Sequence, residues 1–385
     1  MANTLTDLTP DLYQAMDTVS RELVGFIPSV TLDSGIERAA VGQQVRSFVT
    51  PSSTASDLTP GVNAPDNGDQ AIGNESMTIT KARGVPVRYN GEEQRGLSSG
   101  AGYRPILQNQ FAQAMRTLVN EMESDLATLQ ATASRAYGTA GTTPFVSDLS
   151  DTAQVRKILA DNGAPLSDLQ LVIDTTAGAK MRTLTQLTKA NEAADSTLLR
   201  QGVLLNVHGM AIRESAQIVT AGSNAITGTV TVTGTNAIGA TSIGITTAGG
   251  AGVAAIAGDI ITFAGDTNKY VVKTAVTVGA STTGTIVLAA PGLRIAKAAT
   301  AAISGVNVAA RSMGFDRSAL VLATRAPARP EEGDMADDVM MITDPRSGIS
   351  FEVALYKQYR QVRYEISAAW GVKNFKSEHS VLLLG

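Results

Sequence analysis

The sequence predicts an α+β protein: a mixed helix-and-strand body that carries a β-rich insertion. Three observations carry that prediction. Apolar residues recur every three or four positions across 105–136, the spacing of one long amphipathic helix. From residue 151 helix-like and strand-like segments alternate. Over 222–308 the chain then holds only six charged residues (Asp259, Asp266, Lys269, Lys273, Arg294, Lys297) among Thr, Val, Gly and Ala. Alternation in TGTVTVTG and GTIVLA, with glycine turns between, predicts antiparallel strands there.

From the N-terminus, residues 1–38 hold six acids and two arginines, a balance of −4 that equals the net charge of the whole chain. Between Pro10 and Pro28, Leu12, Ala15, Met16, Val19 and Leu23 fall at helical spacing and predict a small helix on an arm. Residues 43–90 read as a two-stranded excursion. QQVRSFV enters and SMTITKARGVPVRYN leaves, and the connection over 50–74 is rich in Pro, Gly, Ser, Asn and Asp. A polar connection of that length is uncommon in a compact enzyme; it predicts a projecting hairpin. The helix over 105–136 places Leu107, Phe111, Ala114, Leu118, Met122, Leu126, Leu129 and Ala133 on one face, with Pro105 suited to its first position. At ~1.5 Å per residue it is a rod of roughly 45 Å. DTAQVRKILADNG predicts a helix with Asp151 and Gln154 as a capping box and Gly163 as its stop. LQLVID is a buried strand, TAGAKMRTLTQLTK a helix, VLLNVHGMAIRES a strand, and mixed helix and strand resume at MGFDRSALVLATRAP. Over 361–372, Val362, Tyr364, Ile366, Ala368, Trp370 and Val372 alternate with polar residues, as in a long half-buried strand.

Composition removes several functions. With 385 residues the chain can build two or three domains around a well-buried core. It has no cysteine, hence no disulfide framework, thiolate zinc site or thiol nucleophile. Two histidines, His208 and His379, leave almost no room for a His-based metal or catalytic constellation. There is no basic field of the kind that grips nucleic acid. The opening MANTLTDLTPDLYQAMD lacks a basic n-region and an apolar core, so it predicts no secretion signal. The uncharged run between Glu214 and Asp259 is broken throughout by Thr, Gly, Asn and Ser and is no membrane span.

The chemical signals are weak. Gly250, Gly252 and Ala255 spell G-x-G-x-x-A, but that motif binds a dinucleotide only between a strand and a helix. Here GVAAIAGDIITFAG returns to strand within a few residues, which predicts a turn in a β domain. His208 reads as a structural histidine in an apolar strand. EEGDMADD (331–338) lacks the ligand spacing of a calcium loop and reads as a solvated acidic loop. GYRPILQNQ and RYEIS offer no nucleophile paired with a base, and no G-x-S-x-G, H-E-x-x-H or phosphate-loop motif is present. The expectation is a protein that is not an enzyme and uses no cofactor or metal.

The order of parts is nevertheless distinctive. An acidic arm, a projecting hairpin, a rod helix, an α/β segment with a β insertion and returning strands resembles the major capsid (coat) protein of tailed bacteriophages, the Hong Kong-type fold. The nearest likeness is to the coat branch of the short-tailed Salmonella phages, which carries an inserted β domain. It rests on GDIITFAG (258–265), PGLR (291–294), FDRSALVLATRAP (315–327) and the closing RYEISAAWGVKNFKSEHSVLLLG. The resemblance implies an N-arm over 1–42, an E-loop hairpin over 43–95, and a P domain over 96–150 with its spine helix at 105–136. It further implies an A domain in two parts, 151–221 and 309–345, an inserted β domain over 222–308, and C-terminal strands of both domains over 346–385.

That family implies self-assembly into an icosahedral shell, as hexamers and pentamers, by way of a procapsid in the host cytoplasm. It implies a separate scaffolding protein and a portal at one vertex. The shell encloses double-stranded DNA without sequence-specific contacts, and no membrane is involved. On this reading a neighbour orders the 1–38 arm. Arg46, Lys81, Arg83 and Arg88 meet a neighbour's acids, such as Glu331, Glu332, Asp334, Asp337 and Asp338. Asp266 and Lys269, in GDTNKY, are the candidate contact loop of the insertion, whose sheet would stabilise the A domain and face outward. The alternatives are an encapsulin-like compartment shell, another β-rich virion protein, and a nucleotide-binding enzyme.

Overall fold

The structure, a computed structural model, describes residues 5–49, 60, 73–98, 103–188, 206–223 and 226–385. The fold class is α+β, as the sequence predicts. One six-stranded sheet is organised by the strand Gln361–Asn374. On one side it pairs antiparallel with Ser350–Gln358 and then Leu320–Pro327; on the other, Lys81–Asn90 runs along it from Trp370 to Gln361. Ala336–Thr343 and the parallel strand Thr31–Ala39 add at the margins. The expected alternation appears, with Tyr364, Ile366, Ala368 and Trp370 wholly buried. The opposite face is covered too: Ala369 packs with Met77, Ile79, Ala39 and Ala323.

The rod helix spans Tyr103–Thr128 and lies against this sheet, Phe111 edge-on to Tyr364 at 5.5 Å between ring centres. Its 26 residues give ~39 Å, shorter than the sequence predicts. The apolar spacing continues through Leu129 and Ala133, but the chain tightens into a 3-10 turn at Leu129–Thr132 and becomes strand at Arg135–Gly138. Thr128 and Thr132 hydroxyls donate to the carbonyls of Asp125 and Leu129, competing with the helical ladder where it ends. The arm also departs from expectation. Leu5–Glu22 is one helix, with Pro10 within it, and its Leu8, Leu12, Met16 and Val19 pack in the same core as the rod. Asp11 pairs with Arg104 and Asp17 with Arg346, both at 3.3 Å. This part of the arm is therefore ordered by its own chain.

The second sheet centres on Ala309–Asp316, flanked by Ser380–Leu384 and Leu169–Ile173. Helices Ser150–Asp161 and Thr175–Arg182 cover it with Val155, Leu159, Ala177 and Met181. No capping box forms at the first helix. Asp151 instead accepts from Phe145 N at 2.7 Å, and the N-cap position falls to Leu149. Asp174 caps the second, accepting from Thr176 N at 3.1 Å. The segment predicted as one strand around His208 is a hairpin, Asn206–Val207 with Met210–Glu214. At 315–327 there is no α-helix: two strands meet through the 3-10 turn Arg317–Ala319.

Strands from Ile226–Val232 to Ala302–Gly305 enclose a core of their own, including Val230, Ile243, Ile261, Phe263, Tyr270 and Ile286. This β block is not a loose appendage. Lys269–Val271 pairs antiparallel with Arg135–Gly138, which pairs in parallel with Ser380–Leu384, so block and body share one fourteen-stranded sheet.

Candidate interaction surface

The residues that hinted at chemistry are placed where chemistry is not served. Gly250, Gly252 and Ala255 lie inside the strand Ser242–Ala255 rather than in a turn, and no helix follows. Gly249 and Gly250 take positive φ, and the pairing register shifts opposite them between Thr227 and Thr229, so the glycines bend the strand as a bulge does. His208 occupies the hairpin turn with φ +52° and is exposed, not held in an apolar strand. Its Nδ1 lies 2.6 Å from Thr152 Oγ1, which is also 2.7 Å from Leu149 O. Burial lowers the pKa of the other histidine, His379. Among the described residues no group of three or more His, Asp or Glu side chains is placed to hold a metal.

What the structure does build is a set of anchored projections. Gln44–Val49 pairs with Gly73–Thr78 to form the hairpin, whose tip over 50–74 lies mostly outside the described residues. The return strand is not continuous, as the sequence suggested. It breaks at Ile79–Thr80, where Ile79 N donates to Gln43 O and Thr80 N to Trp370 O, and Lys81–Asn90 then joins the six-stranded sheet. The base is fixed on both faces. Thr78 O comes so close to Gly371 that a Cβ there would sit 2.2 Å from it. On the opposite side, rod-helix Asp125 takes Lys81 Nζ at 2.6 Å and the Trp370 indole N–H at 2.8 Å. Lys373 closes the outer side on Glu75 at 2.6 Å.

A second anchor holds the arm's elbow. Glu123 of the rod helix accepts from Phe26 N at 2.7 Å, Ile27 N at 3.0 Å and Ser215 Oγ at 2.7 Å, tying arm, rod and second sheet together. Burial raises its pKa, and the three hydrogen bonds oppose that rise without cancelling it. A third holds the neck of the β block. Buried Asp259 accepts from Ser223 N at 2.7 Å on the entering chain and faces Arg311 Nη2 at 3.9 Å on the departing one.

No family model and no curated protein matches the chain. Solved structures do. The capsid structure of the cyanophage P-SCSP1u is similar at 12% identity over 94% of this chain and 88% of that one, with a TM-score of 0.49. The mature capsid of bacteriophage PhiM1 is similar at 11% identity over 92% and 85%, with a TM-score of 0.46. A virus-like particle from Pyrococcus furiosus is similar at 10% identity over 97% of both chains, with a TM-score of 0.42. The chain is similar to capsid structures. The likeness is one of outline, spanning nearly the full length of each partner.

The charged residues expected at contacts divide into two groups. Lys81 and Arg83 face rod-helix Asp125 and Glu121 of their own chain, the latter at 3.6 Å. Asp334 takes Arg329 at 3.0 Å, and Asp337 pairs with Lys357. Asp338 accepts from Val339 N, within the strand Ala336–Thr343, so the acidic loop is shorter than expected. Arg46, Arg88, Glu331 and Glu332 are exposed. The proposed insertion loop is overturned. Asp266 has no exposed side-chain surface and holds Lys297 at 3.1 Å and Tyr270 Oη at 2.8 Å; Lys269 donates to Gly138 O. Burial raises the Asp266 pKa, but hydrogen bonds led by Asn268 N outweigh it and hold the carboxyl below its usual range. Tyr270 is pushed up to about 12, chiefly by burial. These groups are the interior of the block. Sequence reasoning also missed an exposed tip at Tyr359–Arg360; its signal was an aromatic residue in the polar break KQYRQ between two strands.

Proposed function

We propose that the chain is the major capsid protein of a tailed double-stranded DNA bacteriophage, a structural protein that assembles into an icosahedral shell. The observation that carries the reading is the architecture itself. A hairpin from Gln44 to Thr78 leaves the body, and its base abuts Gly371 of the six-stranded sheet, where rod-helix Asp125 holds Trp370 and Lys81. A monomer gains little from a projection anchored in this way at its base, whereas obligate interfaces of thousands of Å2 reward one. The absence of a metal cluster among the described residues is compatible with this reading and does not carry it.

In the proposed shell the subunits form hexamers and pentamers by way of a scaffold-assisted procapsid in the host cytoplasm, with a portal at one vertex and DNA inside. The hairpin is the E-loop, the rod the spine helix of the P domain, the second sheet the A domain, and residues 222–308 the inserted domain. Exposed Arg46 on the hairpin and exposed Arg88 on the sheet strand that follows it are the charges left to meet a neighbour's Glu331 and Glu332. The runner-up is an encapsulin-like shell, favoured by the likeness to the Pyrococcus particle. Purification of particles from cells expressing the chain, with and without its neighbouring genes, separates the two. Shells made uniform by a scaffold and filled with DNA by a packaging motor support the phage reading. Shells that enclose a cargo enzyme support the compartment, and small oligomers under every condition overturn both.

A further inference from the structure

The strands Ser350–Gln358 and Gln361–Asn374 are joined by two residues, Tyr359 and Arg360, since Gln358 pairs with Gln361. Arg360 takes φ +57°, the left-handed region that a residue other than glycine enters mainly in tight turns. Tyr359 is 90% exposed, more than any other large hydrophobic side chain among the described residues. A tyrosine offers a large, stiff surface and a polar end, which is why this side chain anchors protein contacts. Within its own chain this one covers nothing.

Beside the tip lies a cleft of ≈ 740 Å3. One wall is the hairpin end from Lys357 to Val362; the other is Tyr89, Asn90 and the first turn of the helix Gly91–Ser98, with Glu92 and Gln94. The second wall is firmly built. Asn90 N donates to Glu93 Oε2 at 2.9 Å and Glu93 N donates to Asn90 Oδ1 at 2.8 Å, a reciprocal cap of the helix start. Asn90 is also paired with Gln361 in the sheet. The walls differ in charge: exposed Arg360 stands on the tip and exposed Glu92 on the helix, and among the described residues neither has an ion-pair partner. Lys357, behind the tip, is already engaged by Asp337. The chain thus carries both a protrusion and a recess, with an unpaired cation on the one and an unpaired anion on the other, so that one copy can supply the tip and another the cleft.

We infer that this cleft receives the Tyr359–Arg360 tip of a second copy of the chain, with the tyrosine ring seated between hairpin and helix and Arg360 set against Glu92. The contact is head-to-tail: each copy gives a tip to one neighbour and a cleft to another, so it closes into a ring when the rotation permits. It rests on the reading that copies of this chain assemble, and it places a specific contact outside the Arg46 and Arg88 charges named above.

Because the chain has no cysteine, the contact can be tested without background. One chain carrying only Tyr359→Cys and another carrying only Gln94→Cys are co-expressed and mildly oxidised. Their disulfide can form only between copies. In parallel, R360E and the double reversal R360E/E92R are scored for sedimenting shells. The expected results are a cross-linked dimer band from mixed shells, about a tenfold loss of shells for R360E, and recovery to within about twofold for the double reversal, because facing like charges are penalised and restored pairing is not. Mixed shells of the two cysteine variants that give no cross-link, R360E that assembles like wild type, or a double reversal no better than R360E each overturn the contact while leaving shell assembly standing. A wild-type chain that never associates overturns both.

Discussion

Asp259→Ala should loosen the β block from the body, and the structure sets the size of the effect. Asp259 is 1% exposed and accepts from Ser223 N at 2.7 Å, Ser223 Oγ at 2.6 Å and Ile256 N at 2.8 Å, with Arg311 Nη2 at 3.9 Å. At that separation and an effective dielectric of 20 the Coulomb attraction is about 4 kcal/mol, before the cost of desolvating both charges. Truncation also leaves the Arg311 guanidinium, 4% exposed, without its carboxylate and strands two backbone N–H groups. Losing one partner of a buried pair costs about 3–5 kcal/mol. For a unit the size of the block, such a loss moves a melting transition by at least about 10 °C. Calorimetry of the unassembled subunit reads it directly: D259A should show an early transition split from the main one. D259N keeps an acceptor for Ser223 and should fall between the two. A D259A profile within about 2 °C of wild type would mean that the neck does not couple block to body, and that the shared sheet at Lys269–Val271 does so alone.

Glu123→Gln tests the elbow. The folded carboxyl has a pKa above the ordinary 4.5, so the fold binds a proton more tightly than the unfolded chain. Its contribution is fully present below the ordinary value and is lost as pH rises through the raised one. Wild type should gain melting temperature relative to E123Q on acidification through that window, and parallel curves would refute the assignment. Asp125→Ala leaves the buried Trp370 indole N–H without its acceptor, at a cost of about 1–3 kcal/mol. Trp370 is the only tryptophan, so a red-shifted emission should report the opened hairpin base, whereas an unchanged spectrum and melt would contradict it. Deleting 222–308 removes the partner of Arg135–Gly138 and bares a sheet edge. The deletion should lower subunit solubility or misdirect assembly, and unaltered shells would reject a stabilising role for the block.

Much of the fold was legible because its signals are local. The alternation from Val362 to Val372 and the 3.6-residue spacing from Leu107 to Leu126 are properties of single segments, and both elements formed. So did the β block, which its Thr/Val alternation announced. The misreadings arose where a distant partner decides the outcome. Leu129 and Ala133 keep the helical spacing and stay in the rod's core, but the chain just beyond them at Arg135–Gly138 pairs with Ser380–Leu384, which lies far along the chain. The return strand of the hairpin looks continuous in sequence, yet Trp370 O takes the amide of Thr80 and turns it into a different sheet. Contact residues were least legible of all. Charge alone cannot separate Asp266, sealed against Lys297 and Tyr270, from Glu331 or Arg88 in solvent, because burial is a property of the whole fold.

The most direct test of the account is a reconstruction of the assembled protein by electron cryomicroscopy. The account predicts a closed shell in which the hairpin Gln44–Thr78 of each copy lies across a neighbour while its base stays against Gly371 of its own chain. A protein that forms no closed shell, or a shell whose hairpins touch no neighbour, would contradict it.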